Sequence, residues 1–136
     1  MKQEELLLID LCGRSYYKVK VSAIYDDEEY EGTLCAIYPE DNRIIIDNLN
    51  KLCHYPNQTC GGFIIDEHKV KPYLFPLSSM TEEQYEYFTQ DLHAYITLNG
   101  VFGTQMAFDW LNKNHFDYRG LIEKGLAIDC TNLNIY

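Results

Sequence analysis

The sequence is short of basic residues and contains no long apolar run. It has 11 Lys and Arg residues against 21 Asp and Glu residues, which gives a formal net charge of −10. Because non-specific affinity for nucleic acid needs clustered basic side chains, this balance disfavours nucleic acid as a partner. No stretch approaches the ~18 apolar residues of a membrane span, and the opening MKQEELLLIDL is too short and too acidic for a signal peptide. We therefore expect a cytoplasmic protein that makes no membrane contact.

The motifs that mark common enzymes and cofactor sites are missing as well. Neither the nucleophile motif G-x-S-x-G nor the phosphate-binding patterns G-x-x-x-x-G-K and G-x-G-x-x-G occur. Five cysteines form an odd set without framework spacing, so they are expected to be free thiols in a reducing cytosol. Cys12 and Cys35 lie in apolar patterns and are predicted to be small core residues. We predict no catalytic residue, no cofactor and no enzymatic activity.

The chain contains enough apolar side chains to form a folded core. Its 136 residues are 46% hydrophobic and 14% aromatic, with twelve tyrosines. That much apolar surface outweighs chain entropy on collapse, which excludes a disordered chain. The length suits one domain of ordinary size, or a small barrel with a helical appendage.

The first half of the chain has the pattern of short strands. Residues 16–25 alternate between apolar and polar side chains, and β-branched segments at 33–38 and 43–47 follow the turns DDEEYEG and PEDN. Residues 62–73 predict one or two further strands, and the leucine spacing in residues 4–12 slightly favours a helix over a strand. The apolar faces of such short strands must be buried away from water. We therefore predict a small antiparallel β-barrel of SH3-like or Sm-like type. A flat sheet covered by C-terminal helices is the alternative.

The second half has the pattern of helices. Pro72 and Pro76 predict an extended connector over residues 72–80, between a β-rich part at 1–71 and a helical module at 81–136. The predicted fold is thus α+β, with a C-terminal unit of two or three helices.

Capping signals set the helix limits within this module. Thr81 and Gln84 have the spacing of a capping box, which predicts a helix over residues 82–98. Further helices are predicted over 104–114 and 118–124, the latter capped by Asp117. The tail after Gly125 has room for a short edge strand.

One group of possible metal ligands lies in the loop before the connector, namely Cys53, His54, Cys60 and His68. Thiolates and imidazoles suit zinc, but zinc knuckles usually begin with two cysteines two to four residues apart. Here the two cysteines are separated by six residues. We therefore predict a polar loop with incidental thiols and no metal site.

The segment DWLNKNHFDYRGLIEKGLAI at 109–128 concentrates the candidate binding residues, which are Trp110, His115, Tyr118 and Arg119. Trp and Tyr rings often dominate binding hot spots, although helical spacing more often places them in a core. His115 and Asp117 could also form an acid–base pair. Asp117 is nevertheless better explained as a helix cap, and Arg119 as its partner or a surface group.

At KPYLFPLSSMTEEQ (71–84) and DWLNKNHFDYRGLIEKGLA (109–127), the chain resembles uncharacterised small proteins of phages and prophages of Bacteroides-type gut bacteria. The opening ELLLIDLCGR is similar to theirs as well. The tail GLAIDCTNLNIY departs from their pattern, as does the lack of LPYG after Arg14. The resemblance implies a mobile-element accessory protein in the cytoplasm of a bacterial host cell, and it implies no activity or site residue.

These observations predict a non-catalytic binding protein of a phage or mobile element whose partner is a protein. The alternative is a counter-defence protein, acting either as an acidic inhibitor of a host defence enzyme or as a sponge for a small nucleotide signal. A third hypothesis is an enzyme that uses His115 and Asp117. The sequence leaves homo-oligomerisation open.

Overall fold

The computed structural model of the protein describes residues 2–52 and 59–136. A helix opens the chain and five strands follow it. Their bounds are α1 (Gln3–Arg14), β1 (Lys20–Tyr25), β2 (Glu28–Tyr38), β3 (Arg43–Asp47), β4 (Gly61–Ile64) and β5 (Lys71–Pro76).

A long helical hairpin and two very short strands complete the fold. The first arm of the hairpin is continuous and consists of α2 (Glu82–Glu86), a π-helical segment (Tyr87–Leu92) and α3 (His93–Asn99). The second arm is α4 (Val101–Lys113), and the short strands are β6 (Phe116–Asp117) and β7 (Ile128–Asp129).

The seven strands of the described residues form one open mixed sheet in the order β4-β3-β2-β1-β5-β6, with β7 also paired to β5. The pairs from β4 to β5 are antiparallel, whereas β6 and β7 run parallel to β5. The predicted SH3-like or Sm-like barrel is therefore wrong. The helices are not a separate C-terminal unit either, because α1 precedes the first strand.

The sheet does not need to close because α1 covers one of its faces. Leu7 and Leu11 of α1 are buried in the same cluster as the inward residues of the sheet, together with Leu121 and Ala127 from the later chain. The sheet residues of this cluster include Val21, Ala23, Tyr30, Leu34, Ile44, Ile46, Phe63 and Leu74. A helix that packs its apolar stripe on a sheet hides the sheet face as effectively as closure would.

The core positions predicted for two cysteines are wrong, and local geometry explains both errors. Cys12 is exposed because α1 buries Leu7, Asp10, Leu11 and Arg14, which lie on the opposite stripe. Cys35 is exposed at the point where the register between β2 and β3 shifts, so the alternation of the strand is interrupted there.

The capping box predicted at the start of the hairpin is confirmed. The Thr81 hydroxyl accepts a hydrogen bond from the Gln84 backbone N–H, and the Gln84 side-chain oxygen accepts one from the Thr81 N–H. The helix then runs to Asn99, and Gly100, at φ 57°, reverses the chain into α4.

The predicted helix at 118–124 is wrong. These residues form turns between β6 and β7, with Gly120 and Gly125 both at φ 72°.

The edge strand predicted in the tail is confirmed as β7. The residues predicted as a connector contain β5, which pairs with β1, β6 and β7, and a short 3-10 turn after it. The division of the chain into parts stays a prediction.

Close approach of the two hairpin arms depends on Gly103. A Cβ atom at this position would collide with the carbonyl group of Tyr95 and the Cα atom of Ile96. We predict that Gly103→Ala destabilises the protein by about 1–3 kcal/mol, since the two backbones must separate. Gly13→Ala is the matched control, because its nearest neighbour, Asn112 Nδ2, lies at an ordinary 3.7 Å. It should stabilise α1 by up to about 1 kcal/mol. Urea unfolding of both variants measures the two effects, and equal values would contradict this packing.

Candidate functional site

Trp110 packs the hairpin onto the sheet. Its half-buried ring lies 5.6 Å from Phe116 of β6, 5.5 Å from Tyr87 and 5.9 Å from Phe88 on the first arm. Ring contacts at such separations stabilise packing. Trp110 therefore mainly joins the hairpin to β6, and its ring makes these contacts inside the molecule.

Tyr118 and Arg119 belong to a charged network that reaches back to α1. Asp10 and Arg14 have no exposed surface, and the Arg14 Nε donates to Asp10 Oδ2 at 2.7 Å. The Arg119 Nε donates to the other oxygen, Oδ1, at 3.1 Å. One buried carboxylate is thus shared by two guanidinium groups, one from each end of the chain.

The Tyr118 ring contacts both guanidinium groups, with the Arg14 Cζ at 5.1 Å and the Arg119 Cζ at 5.0 Å from its centroid. Its hydroxyl donates to Asn112 Oδ1 at 2.9 Å, while Arg14 Nη2 donates to the Phe116 carbonyl at 2.7 Å. Cation–π contacts and charge-assisted hydrogen bonds strengthen each other where water is excluded. These residues join α1, α4 and the 116–119 segment.

Asp117 caps the turn that replaces the predicted helix. Its carboxylate accepts hydrogen bonds from the backbone N–H groups of Arg119, Leu121 and Ile122. The capping role expected for Asp117 is therefore present, although the structure that follows it is a turn. No hydrogen bond joins this carboxylate to His115 among the described residues, and the His115 Nδ1 has no partner there.

His115 lies in a cleft of about 350 Å³ between the start of the hairpin and the end of the chain. Its ring stacks on Tyr136 with centroids 3.7 Å apart, and its backbone is in the left-handed region at φ 62°. Burial, and secondarily the nearby Arg14 charge, lower the pKa of His115 from its ordinary 6.5 to about 4. The imidazole is therefore neutral at pH 7.

Two buried nitrogens in this region, Arg14 Nη1 and His115 Nδ1, have no hydrogen-bond partner among the described residues. The cleft beside them is also lined by Ser79, Thr81, Gln84 and Lys113. Thr81 and Gln84 are engaged in the capping box, and the Ser79 hydroxyl donates to the Pro76 carbonyl. The cleft thus offers few free polar groups to a ligand.

The most exposed apolar residues lie elsewhere, at the turn between the hairpin arms. Leu98, Val101 and Phe102 are 81%, 88% and 79% exposed, and Tyr95 and Met106 are also exposed. We call these five residues the hairpin tip. Between Asp91 and Asp109 the sequence contains no Asp, Glu, Lys or Arg. That gap in charge is the sequence signal for this surface, which lies outside the segment at 109–128 that contains the candidate binding residues.

The possible metal ligands in the loop before the predicted connector fall partly outside the described residues. Cys53 and His54 lie there, and so does any site they would form with Cys60 and His68. In the parts of the chain that the structure describes, no group of three or more possible metal ligands comes together. The His68 Nδ1 accepts a hydrogen bond from the Ile64 N–H at 2.7 Å. None of the helices in residues 2–52 and 59–136 has the length and hydropathy needed to cross a membrane.

Comparisons of this chain with protein-family models, with curated proteins and with solved structures find no match. The relation to proteins of Bacteroides-type phages accordingly stays a prediction based on the quoted motifs.

The shared carboxylate gives a direct stability prediction. We expect Asp10→Asn to lower the free energy of unfolding by about 3–5 kcal/mol, because it leaves the buried Arg14 without its charge partner. Asp41→Asn is the control, since Asp41 forms an exposed 4.0 Å pair with Arg43 and should change stability by about 1 kcal/mol or less. Urea denaturation compares the two, and a mild effect of Asp10→Asn would contradict the role assigned to the network.

The low pKa of His115 predicts a pH dependence of stability. Above the ordinary value of 6.5 the imidazole is neutral in both the folded and the unfolded protein. As pH falls from 6.5 towards 4, the unfolded chain gains a proton that the folded protein does not, so stability is lost. His115→Asn, a replacement that tolerates positive φ, should lose less stability than the wild type between about pH 7.5 and about pH 5. Parallel pH profiles in urea unfolding would refute this assignment.

Proposed function

We propose that this protein is a non-catalytic binding protein and that the hairpin tip is the surface through which it binds another protein. The observation that carries the proposal is the near-complete exposure of Leu98, Val101 and Phe102 at one turn. Single exposed apolar residues are common, but a cluster at the end of a protruding element marks an interaction surface.

The size of this cluster fits such a role. The five residues of the hairpin tip expose on the order of 600 Å² of apolar surface, when full exposure of a large side chain is taken as about 150–250 Å². This lies at the upper end of what a typical monomer leaves uncovered. Covering it would release water from apolar surface and so favour association.

The hairpin presents this surface on a firm support. Gly103 lets the two arms approach closely, and Trp110 holds the base of the hairpin against Phe116. A surface that is ordered before binding loses little conformational entropy on association.

The chemistry of the tip also indicates the kind of partner. No charged residue lies between Asp91 and Asp109, so the matching surface must be apolar and uncharged. The described residues are less suited to binding a nucleotide signal. Arg14 is buried on Asp10, and Arg119 is paired with the same carboxylate, so neither is free to neutralise phosphate.

The cellular setting belongs to the same proposal. We place the binding activity in a bacterial cytoplasm during propagation of a phage or mobile element, on the basis of the motifs at 71–84 and 109–127. In the counter-defence version, the hairpin tip would be the surface that covers a host defence enzyme.

Site-specific photo-crosslinking in bacterial cells that express the chain tests this proposal. With a photoreactive amino acid in place of Phe102, we expect one defined protein adduct. It should disappear when Leu98→Ser and Val101→Ser are added, because the apolar contact is then lost. The matched control carries the photoreactive residue in place of Tyr16, which is 85% exposed but lies outside the tip. Equal adducts at both positions, or none at Phe102, would refute the proposal.

A further inference from the structure

A groove lies on the same hairpin as the tip. Tyr87, Asp91, Ala94, Tyr95 and Leu98 line a depression of about 390 Å³ along the first arm. Apart from Asp91, its lining is aromatic and aliphatic, and it includes the small side chain of Ala94. The projecting Phe102 and the groove therefore belong to one element of one chain.

We infer that the partner of the hairpin tip is a second copy of this chain, with Phe102 of each copy seated in the groove of the other. This inference rests on the proposed function, because it names the partner of the same surface. A two-fold contact requires that one patch carry both members of each contacting pair. A projecting ring and a groove on one hairpin meet that requirement, and the two hairpins together would form a four-helix arrangement.

Charge favours the hairpin as the place where two copies meet. Each chain has a formal charge of −10, so most pairs of surfaces would bring like charges together. The segment between Asp91 and Asp109 has no charged side chain, and Leu98, Val101 and Phe102 are highly exposed at its turn. Asp91 lies at the groove itself, where the positive edge of a seated aromatic ring would face its carboxylate favourably.

The available area is also sufficient. The hairpin tip contributes on the order of 600 Å² of apolar surface, and uncharged neighbours such as Thr97, Asn99 and Gln105 are exposed beside it. Together they approach the about 800 Å² per partner that a stable interface buries.

Sedimentation equilibrium of the full chain tests the inference. We expect the wild type to be a dimer at about 100 μM, and Phe102→Glu to weaken dimerisation at least about 100-fold. Tyr16→Glu adds the same charge at an equally exposed ring outside the hairpin, and it should leave the dimer unchanged. Circular dichroism of each variant checks that the fold is retained.

A mixing experiment tests the reciprocal geometry. Ala94→Arg should also prevent self-association, because it fills the groove with a charged side chain. A mixture of the Ala94→Arg and Phe102→Glu variants should associate at least about tenfold more tightly than either alone. One of the two contacts in the mixed pair is then native, and the other joins opposite charges.

The outcomes separate this inference from the proposed function. A monomeric wild type that still forms a Phe102 adduct with a different protein would overturn the second copy as partner and leave the binding function standing. A monomer with no Phe102 adduct would overturn both. A wild-type dimer that persists in Phe102→Glu would show that the copies meet elsewhere, which also overturns the inference.

Discussion

The buried carboxylate of Asp10 joins the two ends of the chain, and the packing of α1 depends on it. It receives Arg14 from its own helix at 2.7 Å and Arg119 from the far end of the chain at 3.1 Å. A buried charge is tolerated only when it is paired and hydrogen-bonded, so neither arginine can leave without a large cost. This requirement fixes α1 against the segment that follows α4. It explains why α1, and not closure into a barrel, covers the sheet.

The same network lies at the base of the hairpin, where α4 meets the rest of the molecule. Arg14, Tyr118 and Asn112 tie the base of α4 to the sheet, and Trp110 extends that contact to the first arm. Beyond these anchors α3 has no buried residue, and Leu98, Val101 and Phe102 at the turn are largely exposed. The motif at 109–128 therefore supports the interaction surface without forming it. Its Trp, Tyr and Arg residues are used in internal packing, and the exposed residues at 95–106 supply the contact.

Local signals in the sequence predicted local structure well. The strand at 43–47, the capping box at Thr81 and the hairpin helices follow from alternation, turn chemistry and periodicity. The strand predicted at 33–38 begins earlier, at Glu28, because only Asp26 and Asp27 form the turn before it. The overall arrangement could not be predicted in this way, because it depends on a pair 109 residues apart, Asp10 and Arg119. Asp117 illustrates the same limit, since a cap predicts bonded N–H groups but not whether a helix continues. The exposure of the hairpin tip could not be predicted from periodicity, because Leu98, Val101 and Phe102 lie at or beyond the ends of the predicted helices at 82–98 and 104–114.

In the arrangement that we propose, a second copy covers the hairpin tip and the rest of the molecule remains unchanged. Amide hydrogen exchange of the wild-type protein at low and at high concentration tests it most directly. We predict that exchange at residues 94–108 slows as concentration rises, whereas β1, β2 and β3 exchange at the same rate at both concentrations. Exchange at residues 94–108 that does not depend on concentration, or slowing that appears in the sheet instead, would contradict the account.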